Sequence, residues 1–283
     1  MGAPQTSHET SSVAPASSPT KNEESTHLVF GRLSNGEIEI AARSSYRYLM
    51  STRDGTASNE TRDQHAKAMV EKYMRVEQKL HGNKSREDWE NAALEKLKKT
   101  LAFRVENKVD DIRLCFHKDY LPSNSNDKEQ KMEHDEELFS NLREGIAKRF
   151  SNGASIVRGY TKDGLALFQN FPRADTSWDE NFYIKGNIYT LERALASTER
   201  RTDGEKDKVV VMYDYNGYKM KNSPPIMLVN KLLTILQDHW PERLEHVFVV
   251  DAPFIFRAFW TLIKHFIDPI TKELVSYSFY RVV

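Results

Sequence analysis

The sequence predicts an α/β protein: a helical N-terminal part followed by a mixed, mostly parallel five-stranded sheet flanked by helices. Three observations carry this. Between residues 61 and 150 the apolar positions recur every three or four residues, the period of helices. From Ser155 onward, short apolar runs alternate with helical stretches, and that order describes parallel crossovers. The first two runs, SIVRGY and LALFQNF, flank the tight-turn signal Lys162-Asp163-Gly164, so they pair antiparallel and make the sheet mixed.

Composition narrows the class. The 283 residues suffice for one large domain, or one domain with a helical annex. Hydrophobic residues make up 39% and charged residues 29%, enough for a core and too much charge for a membrane-embedded protein. Lys+Arg and Asp+Glu both number 41, so the zero net charge gives no electrostatic case for nucleic acid. A single cysteine, Cys115, excludes an internal disulfide and a cysteine-rich zinc site. In the run IRLCF it reads as an inert buried thiol in a reducing compartment. No apolar stretch reaches ~18 residues and the N-terminus carries no hydrophobic signal segment. The expected location is cytoplasmic, with peripheral membrane association. The opening MGAPQT fits the loose myristoylation pattern, with Gly2 and Thr6, but the pattern is short and common and an ordinary tail is the preferred reading.

Residues 1–28, rich in Ser, Thr, Pro and Ala, read as a disordered tail, and residues 29–150 as a helical region. The segment HLVFGRLSNGEIEIAA reads as a hairpin or strand around Ser34, Asn35 and Gly36, or as an irregular lead-in. From Thr61, the positions Ala66, Met69, Val70, Tyr73 and Met74 mark one helical face. After a turn at Gly82, Ser85 before Glu87 and Asp88 is a helix start, and Trp89, Ala93, Leu97 and Leu101 continue it. Shorter helical pieces follow at Asp110–Phe116 and Asp135–Phe150, separated by the loop PSNSNDKEQ. In residues 151–283 the hairpin precedes a helix from Asp179 to Glu199. KVVVMYDY then reads as an interior strand, Ile226–His239 as a helix, VFVVDA as a strand and LVSYSF as the last strand.

The chain lacks the phosphate-loop, dinucleotide, nucleophile-elbow and HExxH signatures. His239 and His246 flank Pro241 and read as surface or loop histidines rather than a metal pair. Asp214 and Asp251 close two strands, where α/β enzymes place ligands. The preferred reading is turn or cap carboxylates, since no nucleophile stands between them. The helix after Pro253 is more telling. Ile255, Phe256, Phe259, Trp260, Ile263, Phe266 and Ile267 recur at three and four and make one wide apolar face. Such a helix either packs permanently on a sheet or covers an apolar cavity as a lid.

These residues carry a family resemblance. ALEKLKKTLAFR, IVRGYTKDGLALFQNF and VVVMYDYNG fall in the order of the CRAL-TRIO domain family, with Phe103 where its helix usually has Trp. The specific block is DHWPERLEHVFVVDAPFIFRAFWTLIKHFIDPITKELV, which resembles the family's Y-P-E-R-L, N-A-P, gating-helix and D-x-x-T pieces. The resemblance implies a lipid-binding α/β domain over residues 151–283 with a lid-like helix over an apolar pocket. It implies transfer of one lipid without covalent change, so no enzyme activity, metal or cofactor is expected.

Phe168, Tyr213 and Met212 lie on strands that floor the pocket, with the inward face left open by a one-residue register step. The lid contributes Ile255, Phe256, Phe259, Trp260 and Ile263. Glu242 either contacts ligand or pairs with Arg75 or Arg243. Lys272 stands near the position of the family's third phosphate contact, and Arg257 and Lys264 are placed to steer anionic headgroups. The family's phosphate-site Arg falls on Glu77 and its Lys on Leu274, which argues against phosphatidylinositol. Asp251 stands for the usual Asn and His265 for a Pro. The chain ends at Val283, short relative to the family. The expected partners are a phospholipid or other hydrophobic small molecule and, transiently, a membrane surface; no nucleic acid and a monomer are expected. The alternative is a protein-interaction or regulatory module of the same fold without lipid exchange.

Overall fold

The computed structural model describes residues 21–117, 130–174, 179–254 and 256–277. Among them seven helices come first: α1 (Lys21–Phe30), α2 (Asn35–Arg43), α3 (Tyr46–Arg53), α4 (Asn59–His81), α5 (Arg86–Glu106), α6 (Val109–Leu114) and α7 (Gln130–Phe150). The chain then alternates: β1 (Ser155–Tyr160), β2 (Ala166–Asn170), α8 (Glu180–Arg201), β3 (Val209–Asp214), α9 (Ile226–His239), β4 (Leu244–Val250), α10 (Phe256–Ile263), α11 (Pro269–Glu273) and β5 (Val275–Tyr277).

Local chemistry sets the helix starts. The Ser85 hydroxyl accepts the Asp88 N–H at 3.2 Å, and Asp179 accepts that of Phe182 at 2.9 Å. The segment around Ser34 is neither hairpin nor irregular. Ser34 accepts the Glu37 N–H at 3.3 Å while the Glu37 carboxylate accepts the Ser34 N–H at 2.7 Å, a reciprocal cap that starts α2. Ile38, Ala41 and Ala42 are then buried, and α2 packs on α4. Helix α1 begins at Lys21, inside the stretch whose composition reads as tail, because Val29 docks in the helical core. The loop PSNSNDKEQ lies outside the described residues up to Gln130, and Gly2 lies outside them altogether.

The five strands lie in chain order, β1-β2-β3-β4-β5, with β1–β2 antiparallel and the other pairs parallel. Gly164 holds φ +85° in the β1–β2 turn, a conformation that a side chain disfavours. Register decides the faces. Phe168, Val211, Val247 and Val275 form one row, and Asn170, Tyr213 and Val249 the next on the same face. Met212 and Phe248 pair in a row on the opposite face, where Phe248 is exposed. Helix α7 approaches α8 at Gly145, where any Cβ would stand 1.9 Å from the Phe182 ring.

The helical and sheet halves meet through buried charges. Glu192 on α8, 1% exposed, binds Arg104 at 3.0 Å and Arg113 at 3.2 Å and accepts the Trp240 indole N–H at 3.0 Å. Asp207 pairs with Lys72 and Arg243. Beside this network Cys115 is buried, and burial pushes its thiol pKa up to about 12. A thiol reagent at pH 8 is therefore expected to label the native protein at least ~10-fold more slowly than the urea-unfolded chain, because thiolate is the reactive form. Equal rates would show an accessible Cys115.

Candidate functional site

A cavity of about 780 Å³ lies between the sheet and α10, within the ~300–1,000 Å³ typical of small-molecule sites. Its floor is the face carrying Phe168, Val211, Tyr213, Val247, Val249 and Val275. Helices α8 and α9 wall it with Tyr183, Leu191, Leu232 and Leu236. Helix α10 roofs it with Phe256, Phe259, Trp260 and Ile263, which the three-and-four spacing brings to one side. The Phe256 ring stacks on Trp260 at 6.2 Å and leans on Tyr215 at 5.3 Å.

Both ends of the roof are set by backbone chemistry. Before it, Asp251 holds φ +51°, unusual for a residue with a side chain. After it, the Gln237 side chain donates to the Phe266 carbonyl at 2.9 Å and accepts the Asp268 N–H at 2.6 Å. Asp268 in turn caps α11 through the Thr271 N–H at 2.9 Å.

The cavity reaches a charged end where β3 and β4 begin. Glu242, at φ +54°, accepts from Arg75 Nε at 2.7 Å and Lys79 Nζ at 2.9 Å, both on α4. Burial alone raises the Glu242 pKa, but the hydrogen bonds and charges of Lys79 and Arg75 outweigh it and hold the carboxyl below its ordinary value. Glu77, 1% exposed, pairs with Lys96 and stands 3.7 Å from His81. These charges are mutually satisfied by protein groups, apart from one oxygen of Glu77 that lacks a hydrogen bond.

Of the residues singled out from sequence, Phe168, Tyr213, Glu242, Phe256, Phe259, Trp260 and Ile263 line the cavity. Ile255 and the Arg257 side chain lie outside the described residues. Lys272, on α11, is not in the lining, although Thr271 and Leu274 on either side of it are. Met212 points to the other sheet face. Glu242 pairs with Arg75 as one reading had it; Arg243 is engaged with Asp207 instead. Sequence reasoning missed Asn170, Tyr215 and Tyr218, which sit at a strand end and in a turn and carry no periodic signal.

The other candidates are structural. Asp214 accepts the Asn216 N–H at 2.9 Å and binds Arg173 at 3.1 Å, as a turn carboxylate does. His239 stacks on Phe103 at 4.0 Å and bonds Thr100, and His246 bonds Ser276. Among the described residues no group of three His, Cys, Asp or Glu side chains is placed to hold a metal, and no helix is long and apolar enough to cross a membrane.

The comparisons with known proteins agree with this architecture. The family model described as CRAL/TRIO domain matches residues 150–278. Over 139 residues, 48% of the chain, the sequence is 28% identical to phosphatidylinositol transfer protein CSR1 of Eremothecium gossypii, of which it covers 30%. It is 34% identical over 132 residues, 45% of the chain, to phosphatidylinositol transfer protein PDR17 of Saccharomyces cerevisiae, of which it covers 37%. It is 29% identical over 151 residues, 51% of the chain, to alpha-tocopherol transfer protein-like of Homo sapiens, of which it covers 42%. The chain thus spans less than half the length of each of these relatives. The crystal structure of Sfh5 superposes with a TM-score of 0.57 at 14% identity, covering 92% of this chain and 82% of that one. Fold, order of elements and matched residues converge on the CRAL/TRIO domain, whose family model residues 150–278 match.

Proposed function

We propose that the protein binds one hydrophobic or phospholipid ligand in this cavity and transfers or presents it at membranes. The carrying observation is the cavity of about 780 Å³ roofed by the aromatic face of α10. Domains of this family bind hydrophobic ligands in such pockets. A fold kept only as a protein-interaction module has no use for this volume, which Phe and Trp side chains would fill. Phe168, Tyr213, Phe256, Phe259, Trp260 and Ile263 are the proposed ligand contacts, with burial worth ~25 cal/mol per Å² of apolar surface. The relatives' names point to phospholipids and tocopherol as cargo classes. Phosphatidylinositol is disfavoured, because Glu77 lines the charged end beside an already paired Glu242.

The exterior of the roof supports work at a membrane. Phe254, just before α10, is 83% exposed and Leu262 on it 60%, while Met227 on the neighbouring α9 is 74% exposed, an arrangement that water disfavours and a bilayer accommodates. Residues 215–237 and 252–267 contain no Asp or Glu, while Lys219, Lys221 and Lys264 lie in them. That charge suits an anionic lipid surface. On this reading α10 opens at the bilayer, where its inner face meets acyl chains instead of water.

The test is extraction. The protein is incubated with vesicles of mixed phospholipid, sterol and tocopherol content, re-isolated, and its lipid identified by mass spectrometry. One lipid per protein is expected. Re-isolation free of lipid after exposure to all three classes would overturn the reading.

A further inference from the structure

The cavity lining is not uniformly apolar. Under α10, where β3 ends, the rings of Tyr213 and Tyr215 lie 6.5 Å apart, and those of Tyr215 and Tyr218 5.1 Å apart. All three line the cavity, as does Tyr183 on α8. The Tyr218 hydroxyl is bonded to Ser223. Among the described residues the hydroxyls of Tyr213 and Tyr215 have no hydrogen-bond partner. Asn170, 7% exposed, is the register partner of Tyr213 on the neighbouring strand. Its Oδ1 accepts from Ser155 at 2.8 Å, and its Nδ2 is unpartnered.

Buried polar groups without partners are uncommon because they give up hydration and receive nothing back. Here one buried amide, Asn170 Nδ2, is in that condition, and the unpartnered hydroxyls of the half-buried Tyr213 and Tyr215 stand at the end of the neighbouring strand, in the lining of the same cavity. The charged end differs: Glu242 holds Arg75 and Lys79, and Glu77 holds Lys96. Open donors thus gather under the lid, whereas the unpartnered Glu77 oxygen at the charged end is an acceptor. The four acidic side chains of the lining, Glu77, Asp238, Glu242 and Asp268, belong to the opposite end or to the C-terminal end of α9.

Resting on the lipid-binding reading above, we infer that Asn170, Tyr213 and Tyr215 form the seat for an acceptor oxygen of the ligand, such as an ester or phosphodiester oxygen. The three groups present N–H and O–H donors. Burial, and for Tyr215 also the neighbouring hydroxyls, pushes both tyrosine pKa values up, so the hydroxyls keep their protons. The ligand therefore lies with its oxygenated group beneath α10 and its hydrocarbon along Leu191, Leu232 and Leu236, away from Glu242.

The test compares two probes on the full chain. Phosphatidylcholine offers acceptor oxygens; squalene offers none. Tyr213→Phe/Tyr215→Phe removes two hydroxyls while keeping the rings, and Asn170→Leu removes the amide. Phosphatidylcholine retention is expected to weaken about 5- to 10-fold in each variant, the worth of one or two neutral hydrogen bonds, with squalene retention within about twofold of wild type. Equal losses for both probes, or unchanged phosphatidylcholine retention in folded variants, would overturn the seat and leave the binding function standing. Wild type that takes up squalene alone also overturns it. Wild type that takes up neither probe removes the lipid-binding reading itself.

Discussion

Phe259→Asp is expected to abolish lipid uptake. Phe259 lies on the inner face of α10, lines the cavity, and has its ring 6.1 Å from that of Phe256. An aspartate there faces Trp260, Ile263 and the valines of the floor. Seating an acyl chain against it means desolvating an unpaired carboxylate, which costs several kcal/mol in proteins. Each ~1.4 kcal/mol is a factor of ten, so uptake drops by at least ~100-fold. Phe259 is itself only half-buried, so the change leaves the thermal midpoint within a few degrees. Vesicle extraction read beside a melting curve separates the two effects. Normal uptake by the folded variant would show that α10 is a fixed cover and no lid.

The second large effect is on stability. Glu192→Ala is expected to destabilise the fold by ~3 kcal/mol, because it removes the buried carboxylate nearest two buried guanidinium groups and leaves them Asp110, at 3.6 Å from Arg104 and 3.5 Å from Arg113. Arg104 and Arg113 are 6% and 5% exposed, and the Trp240 N–H loses its acceptor as well. Urea denaturation followed by tryptophan fluorescence measures this. A shift below ~1 kcal/mol would mean that water reaches the site. Acid carries the same signature. Burial raises the Glu192 pKa, but Arg113, Arg104 and the Trp240 N–H together outweigh it and hold it below the ordinary 4.5. A carboxyl depressed in the folded state contributes fully above its unfolded value and loses that contribution as pH falls through the folded one. Wild type thus weakens as pH falls below about 4.5, and Glu192→Ala weakens less steeply over that range.

Much of the fold is legible because packing and period agree. Helix α9 spans Ile226–His239 as the apolar spacing indicates, and the continuous run at Val209–Met212 is an interior strand. The residues around Ser34 mislead because Ile38 and Ile40 alternate with glutamates as in a strand, while the reciprocal Ser34–Glu37 cap and the small Ala41 and Ala42 suit docking on α4. The roof of the site is equally legible, since α10 carries its function in a repeating pattern. The seat under it is not. Asn170, Tyr215 and Tyr218 are isolated polar residues, and only the β2–β3 register sets Asn170 beside Tyr213. The ties of Glu192 to Arg104 and Trp240, 88 and 48 residues away, are likewise invisible to any local window. Lys272 misses the lining because α11 brings Thr271 and Leu274 to the cavity instead.

The cavity also changes what counts as the interior of this protein. The cluster around Phe256 and Val249 and the cluster around Tyr183 and Leu232 both contribute to its lining. Interiors elsewhere are packed as densely as organic crystals. On the proposed function, the passenger is a detachable piece of the hydrophobic core, and anything bound only by the native state adds to its stability. Handing the passenger to a membrane therefore loosens the carrier, and picking up the next one tightens it again. The same free energy that folds the chain draws in the replacement.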